Sequence, residues 1–141
     1  MTYLLDTSVC VDYLRRPDSP LRAWIDFTGV DAIRLCSIVK GELLVGTRKM
    51  PTERNKRMVS EFIQRFDSFP VDDDAAEAYA GIRAELEQKG QVISSNDMLI
   101  AAVALARGAI LVTANPDEFR RVPSLAILTL FDLTAGKTPP A

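Results

Sequence analysis

Three acidic residues in this sequence occupy positions where a carboxylate could do chemistry. Asp6 directly follows the first apolar run of the chain, and Asp97 opens a long apolar segment. Glu42 lies on one face of a helical pattern together with Ile38 and Val45. Alone, Asp6 is explained as a helix cap and Asp97 as a first-turn acid that the helix dipole favours. Glu42 is harder to explain, because a half-buried acid is costly unless something pairs with it.

A metal site would explain the three acids together. Carboxylates brought within several ångströms repel one another and take up protons unless a cation keeps them ionised. The sequence contains no histidine, so the commonest transition-metal ligand is absent. An all-oxygen set selects a hard ion, Mg²⁺ or Mn²⁺.

The reaction class follows from the same residues. A bound hard ion lowers the pKa of a coordinated water and orients it for attack at phosphorus. An esterase or peptidase is disfavoured, because the chain has no Gly-x-Ser-x-Gly sequence and no histidine to activate a nucleophile. We therefore predict a metal-dependent phosphodiesterase.

Strands must position these acids. Five short apolar runs are typical of strands, and helical patterns separate them. The predicted strands are residues 3–5, 32–36, 69–71, 109–112 and 125–128. This alternation predicts a three-layer α/β/α fold with a central, mostly parallel sheet of four to five strands. The carboxyl ends of parallel strands open into one crevice, where ligands bind.

Capping residues predict where the helices begin and end. A polar cap precedes most of the helical patterns, and glycine follows two of them. The predicted caps are Ser8, Ser19, Ser37 and Asp74, Pro51 opens a further helix, and Gly90 and Gly108 end two helices. The segment after Asp97 is apolar almost all round, so we expect a helix that is buried on nearly every side.

The composition fits one globular domain. The chain has 141 residues, of which 48% are hydrophobic, and this suffices for one core. We assign residues 1–134 to that domain and residues 135–141 to a flexible C-terminal tail. Cys10 and Cys36 have apolar neighbours, so we expect buried, reduced thiols.

Charge and hydropathy bear on location and partners. No segment is long and apolar enough to span a bilayer, and no targeting signal precedes the first strand. We therefore expect a cytoplasmic protein with no membrane association. The formal net charge of −2 gives no overall attraction for nucleic acid.

Four stretches of the sequence, taken in order, carry a family resemblance. They are YLLDTS at 3–8, GELLVG at 41–46, IRAEL at 82–86 with NDMLIAA at 96–102, and LVTANPDEF at 111–119 followed by Val122-Pro123. Over nearly the whole chain these stretches resemble the PIN-domain ribonucleases, and specifically the VapC-type toxins of bacterial toxin–antitoxin modules.

The resemblance implies a site and an activity. It implies that Asp6, Glu42 and Asp97 form an acidic Mg²⁺-binding triad, with Mn²⁺ as a substitute ion. It also implies supporting roles for the hydroxyl groups of Thr7, Ser8 and Thr113. The implied activity is cleavage of an RNA phosphodiester by metal-activated water, and the implied partners are a VapB-type antitoxin and a second copy of the chain in a homodimer.

The chain departs from the family pattern at two positions. Ser8 stands where the family often has Asn, and Asn115 stands where many members carry a fourth acid. Either Asn115 itself, Asp117 or Glu118 is then the fourth metal ligand, or a second metal ion binds weakly, and the sequence leaves open both this choice and the number of metal ions.

Basic residues that could rim the crevice are the candidate RNA contacts. Phosphate contacts from such side chains position a nucleic acid. The candidates are Arg15, Lys40 and Arg120, followed by Arg16, Arg48, Lys49 and Arg121.

Two other functions stay open at this point. The first is a catalytically weakened PIN domain that acts as an RNA- or protein-interaction module, which Asn115 favours slightly. The second is a phosphoacceptor fold with Asp6 as the nucleophile. It is disfavoured because Ser8, rather than a second acid, stands two residues after Asp6, and because it leaves Glu42 unexplained.

Overall fold

Five strands form one parallel sheet in residues 1–134, the part of the chain that the computed structural model describes. They are β1 (Tyr3–Leu5), β2 (Ile33–Cys36), β3 (Asp67–Phe69), β4 (Ile110–Thr113) and β5 (Ile127–Thr129). Their order across the sheet is β3-β2-β1-β4-β5, so β1 is central and β3 and β5 form the edges. The predicted three-layer α/β/α class is confirmed, and every strand pair is parallel.

Helices cover both faces of this sheet. In the described part of the chain there are eight α-helices. They are α1 (Thr7–Arg15), α2 (Pro20–Thr28), α3 (Ser37–Lys49), α4 (Glu53–Gln64), α5 (Asp73–Lys89), α6 (Ser95–Arg107), α7 (Pro116–Phe119) and α8 (Leu130–Thr134). As predicted, α6 is central: residues 100–104 are all buried. Burial on nearly all sides explains why its sequence is apolar almost all round.

The pairing of β1 with β4 determines the position of Asp6. Leu5 pairs with Val112 of β4, and the backbone N–H of Asp6 donates to the carbonyl of Val112 over 2.9 Å. Leu4, Leu5 and Val112 are fully buried. Asp6 is thus held at the carboxyl end of the central strand, on the edge where ligands bind in parallel sheets.

Two of the predicted caps near the site are wrong. The cap of α1 is Asp6 and not Ser8, because the extended backbone of Asp6 lets its carboxylate accept the N–H of Thr7. The helix α3 begins at Ser37 itself, preceded by extended Cys36, which makes no side-chain capping bond. In both places the strand runs directly into the helix, so α1 starts two residues earlier, and α3 one residue earlier, than a cap at the hydroxyl residue predicts.

The starts of α4 and α5 also differ from the prediction. Thr52 caps α4 and accepts the N–H of Asn55, so the helix opens after Pro51 rather than at it. Asp72 caps α5 and accepts the N–H of Ala75, in the place predicted for Asp74. Asp72 takes this role because its backbone is extended, with φ −99° and ψ −171°, as an N-cap requires.

The other helix boundaries agree with the prediction. Ser19 caps α2 and accepts the N–H of Leu21, with Pro20 in the first turn. Gly90 and Gly108 end α5 and α6 with φ of +66° and +62°, a left-handed conformation that glycine adopts without strain.

The edge strands are displaced from their predicted positions. β3 lies two residues earlier than predicted and stops before Pro70, which has no N–H to offer to a neighbouring strand. β5 begins two residues later and ends one residue later than predicted. The unpredicted helix α8 starts with a reciprocal pair of bonds, in which the N–H groups of Thr129 and Asp132 each donate to the other's side chain over 3.0 Å.

Three further predictions concern the rest of the chain. Cys10 and Cys36 are free and buried, as predicted. Burial, followed by the nearby Asp6 carboxylate, raises the pKa of the Cys10 thiol well above its usual value. Within residues 1–134 no helix is long and apolar enough to cross a membrane. The predicted flexible tail at 135–141 lies outside the described residues.

Candidate active site

An acidic cavity of about 680 Å³ lies at the carboxyl ends of β1 and β4. Its acidic lining residues are Asp6, Glu42, Asp97, Asp117 and Glu118. Asp6 comes from the end of β1, Glu42 from the second turn of α3 and Asp97 from the first turn of α6. Three acids from three separate elements therefore meet at one cavity.

Asp6 is the most firmly held of these acids. Its side chain is 4% exposed and accepts three hydrogen bonds, each 2.7 Å long. The backbone N–H of Thr7 donates to Oδ1, and the hydroxyl groups of Ser8 and Thr113 donate to Oδ2. Hydrogen bonds to an ionised carboxylate are short and strong, so these three bonds fix its orientation.

The same hydroxyl groups fasten the loop after β4 to Asp6. The N–H of Ala114 donates to the Ser8 hydroxyl over 2.9 Å, and the N–H of Asn115 donates to the Thr113 hydroxyl over 3.0 Å. Ser8 therefore connects Asp6 with the loop from β4, although it does not cap α1. The ends of the two central strands are joined around one carboxylate.

Glu42 lies at the border between the core and the cavity. Its Oε1 accepts a hydrogen bond of 2.9 Å from the Thr7 hydroxyl, so the residue after Asp6 orients the second acid. The core side of α3 carries Val39 and Leu43, whereas Val45 is 50% exposed. The expected aliphatic face around Glu42 is thus only partly buried.

Asp97 has the most strongly perturbed carboxyl group of the cavity. The pKa of Asp97 is raised from 3.8 to about 6, with burial as the largest cause and the Asp6 carboxylate next. A hydrogen bond with Glu118 and the Glu118 charge contribute to this rise, while a hydrogen bond from Ser94 opposes it. The cavity thus holds more negative charge than it can stabilise, and a bound cation would relieve the excess.

The three candidates for a fourth metal ligand differ in their contacts. Asn115, Asp117 and Glu118 all line the cavity. The Asp117 side chain is 96% exposed and pairs with Arg120 over 3.4 Å. Glu118 is the one that interacts with Asp97. The sequence could not choose among them, because all three are exposed and the one-turn helix α7 decides which of them interacts with Asp97.

The donor set fits a hard cation that keeps part of its water shell. Every candidate side-chain donor in the cavity is an oxygen. Within residues 1–134, no three acids, cysteines or histidines converge closely enough to enclose an ion by themselves. Mg²⁺ is commonly held by one or two carboxylates while it retains several waters, so Asp6, Glu42 and Asp97 suit that ion.

The three main candidate RNA contacts have different surroundings. Lys40 is half-buried on α3, two residues before Glu42. Arg15 lines a neighbouring cavity that shares Glu42 with the acidic one. Arg120 is paired with Asp117. Contact of these residues with RNA stays a prediction.

Known proteins resemble this chain over almost its full length. A sequence model of the PIN domain matches residues 3–125. The ribonuclease VapC2 of Rickettsia felis is 37% identical over 129 residues, which cover 90% of this chain and 96% of that protein. The tRNA(fMet)-specific endonuclease VapC of Salmonella typhimurium is 34% identical over 130 residues, with 90% and 96% covered.

A solved structure extends the similarity to the fold. In the crystal structure of DNA-bound VapBC from Salmonella typhimurium, one chain aligns with a TM-score of 0.87 and 32% sequence identity. The alignment covers 92% of this chain and 98% of that chain. The PIN-domain match at residues 3–125 spans all three acids.

Proposed function

Because this chain belongs to the PIN domain family, we propose that it is a VapC-type endoribonuclease, the toxin of a toxin–antitoxin module. It depends on Mg²⁺, which Mn²⁺ can replace, and it cleaves RNA in the cytoplasm. The observation that carries this proposal is the meeting of Asp6, Glu42 and Asp97, from three separate elements, at one cavity.

Each acid of the cavity has its own role in the proposed reaction. Asp6 is held rigid by Thr7, Ser8 and Thr113 and offers a fixed ligand. Glu42 is oriented through the Thr7 hydroxyl. Asp97 supplies a third negative group. When bound, Mg²⁺ supplies a coordinated water of lowered pKa and neutralises charge on the phosphodiester.

The proposed partners are a VapB-type antitoxin and a second copy of the chain. The related Salmonella typhimurium chain was solved within a VapBC complex, which supports an antitoxin of that type. Leu44 and Val45 of α3 are each 50% exposed. Apolar side chains exposed close together favour a protein contact, and a homodimer is the proposed contact here.

RNA cleavage with and without metal tests the proposal directly. The first substrate is tRNA(fMet), because the related Salmonella typhimurium enzyme is named for it, and total RNA is the second. We expect cleavage with Mg²⁺, loss of cleavage in EDTA and recovery when Mg²⁺ or Mn²⁺ is returned. Cleavage that persists in EDTA contradicts metal dependence. Intact RNA together with Mg²⁺-dependent thermal stabilisation indicates an interaction module instead.

Glu118→Gln is expected to weaken cleavage more than Asp117→Asn does. Glu118 interacts with Asp97, whereas Asp117 is exposed and paired with Arg120. The expected loss for Glu118→Gln is about 10- to 100-fold, as for partners of metal ligands. Initial rates at several Mg²⁺ concentrations measure both variants. A larger loss with Asp117→Asn would assign the fourth acid to Asp117.

A further inference from the structure

Two more cavities continue from the acidic one. The second, of about 280 Å³, lies between α1, α3 and α4 and shares Glu42 with the acidic cavity. The third, of about 230 Å³, shares Leu14 and Met58 with the second. We call the second and third cavities together the α1–α4 trough. It leads away from the three acids along the helical surface.

Three arginines are spaced along this trough. Arg15 lines the second cavity, and Arg22 and Arg65 line the third. None of the three forms an ion pair with an acid of residues 1–134. Arg15 ends α1, eight residues or about 12 Å along the helix from its start beside Asp6. The trough also carries two acids, Glu42 and Glu61, so the three arginines outnumber the acids and the cationic groups are distributed along it.

The two arginines of the third cavity are held around one tyrosine. The Arg22 guanidinium lies 3.9 Å from the centre of the Tyr13 ring, and its Nη2 donates to the Tyr13 carbonyl over 2.7 Å. Nη1 of Arg65 donates to the Tyr13 hydroxyl over 2.9 Å. Both guanidinium groups are thus positioned before any ligand arrives, which lowers the entropic cost of binding.

Arg22 is also incompletely satisfied. Its Nε is buried and has no hydrogen-bond partner within the described chain. A buried donor without a partner costs about 1–3 kcal/mol, and the cost is larger for a charged group. The buried Nε itself is out of reach of an anion in the trough, so a bound phosphate would act on the positive charge of the guanidinium rather than on this donor.

The shape and chemistry of the trough favour RNA as the occupant. Its floor is aliphatic, with Leu14, Leu43, Met58 and Val59 among its lining residues, and offers non-polar contact to bases and sugars. A single strand of RNA carries a negative charge on every nucleotide, which suits cations spaced along a path. Phosphate contacts of this kind position the strand without reading its sequence.

We infer that the α1–α4 trough holds the RNA strand on one side of the cleaved bond, with Arg15, Arg22 and Arg65 binding its backbone phosphates. The inference rests on the proposed function, because the cleaved bond lies in the acidic cavity. It explains how a chain with a net charge of −2 and an acidic site attracts RNA. The arginines lie beside the acidic cavity, and the net charge of the whole chain does not reveal this local positive charge.

A matched pair of double variants tests the trough. Arg15→Gln/Arg65→Gln removes two exposed trough arginines, and Arg54→Gln/Arg57→Gln removes two exposed arginines that do not line it. Binding of a short fluorescein-labelled single-stranded RNA is followed by anisotropy in EDTA across a KCl series, and a gel checks that the RNA stays intact. Thermal melting checks the fold of each variant.

The trough variant is expected to bind the RNA severalfold more weakly. The slope of log affinity against log salt should fall by about 1.4, or about 0.7 for each lost phosphate contact to a single strand. The control variant should change the slope by less than half as much.

Two results overturn the inference. Equal losses in both variants indicate a general basic surface. If the trough variant binds RNA as well as the wild type does, the trough does not hold RNA. This conclusion applies even if the variant binds a VapB-type partner less well. Failure of the proposed function is separate, because it appears as uncut RNA in Mg²⁺ and leaves the binding comparison in EDTA valid.

Discussion

Asp97→Asn is expected to abolish most RNA cleavage while making the fold more stable. Asp97 supplies a charged oxygen to the acidic cavity, and removing one preorganised charged group typically costs about 10²- to 10³-fold in rate. The same carboxylate is destabilising in the folded protein without metal, because burial and the Asp6 carboxylate raise its pKa to about 6. A neutral amide avoids that cost.

The gain in stability should depend on pH with a defined sign. The unfolded pKa of Asp97 is near 3.8 and its folded pKa is about 6. Between these values the folded protein binds more protons than the unfolded chain, so the wild-type free energy of unfolding falls as pH rises through this range. The stabilisation by Asp97→Asn should therefore be absent below about pH 4 and complete above about pH 7.

Thermal melting in EDTA across this pH range, beside cleavage assays in Mg²⁺, measures both effects. Asp26→Asn is the matched control, because Asp26 is an exposed acid of α2 outside the cavity. The Asp97→Asn variant should also gain less stability from added Mg²⁺, since a ligand stabilises only the state that binds it. If Asp97→Asn lowers the stability of the fold at neutral pH, the claim that the cavity holds an excess of negative charge is contradicted.

Thr113→Val is expected to give the largest loss of stability among substitutions near the site. Thr113 is fully buried, donates to Asp6 over 2.7 Å and accepts the N–H of Asn115 over 3.0 Å. Valine has the same shape but no hydroxyl. Losing a hydrogen bond to a charged group costs about 1.5–3 kcal/mol, and cleavage should fall about 10- to 100-fold because Asp6 is less well oriented.

Chemical denaturation and cleavage rates for Thr113→Val and Thr113→Ser measure this contribution. Serine keeps the hydroxyl and loses only a methyl group, so it should retain most of the activity. If valine and serine destabilise the protein equally, the methyl group matters and the bond to Asp6 does not.

Much of the fold could be predicted because the parallel sheet has strong local signals. The runs at 3–5 and 109–112 are apolar throughout, which is typical of strands buried on both faces. β3 has only three residues, Asp67–Phe69, and two of them are polar. Its position depends on pairing with β2, which no local pattern reveals.

The capping errors have a similar physical cause. Asp72, Asp73 and Asp74 are adjacent, and each could cap a helix by its residue type. Only the extended backbone of Asp72 selects it, and that backbone is set by the path of the chain out of β3. At Ser8 the choice was decided by Asp6, which already occupies the capping position.

The site was predicted in outline and left open in detail. Asp6 and Asp97 could be placed because strand ends and the start of a buried helix have recognisable sequences. The association of Glu118 with Asp97 could not be predicted, because it depends on how the single turn of α7 sits above β4. Arg15 was predicted as an RNA contact, but the α1–α4 trough was missed, since Arg65 is far from Arg15 and Arg22 in sequence.

The short edges of the sheet affect how copies of the chain can associate. β3 and β5 have three residues each, and Pro70 follows β3 directly. Short edge strands and a nearby proline discourage the strand-to-strand pairing that leads to aggregation. At high concentration, self-association of this protein should therefore proceed through helical surfaces and leave the sheet at its five strands.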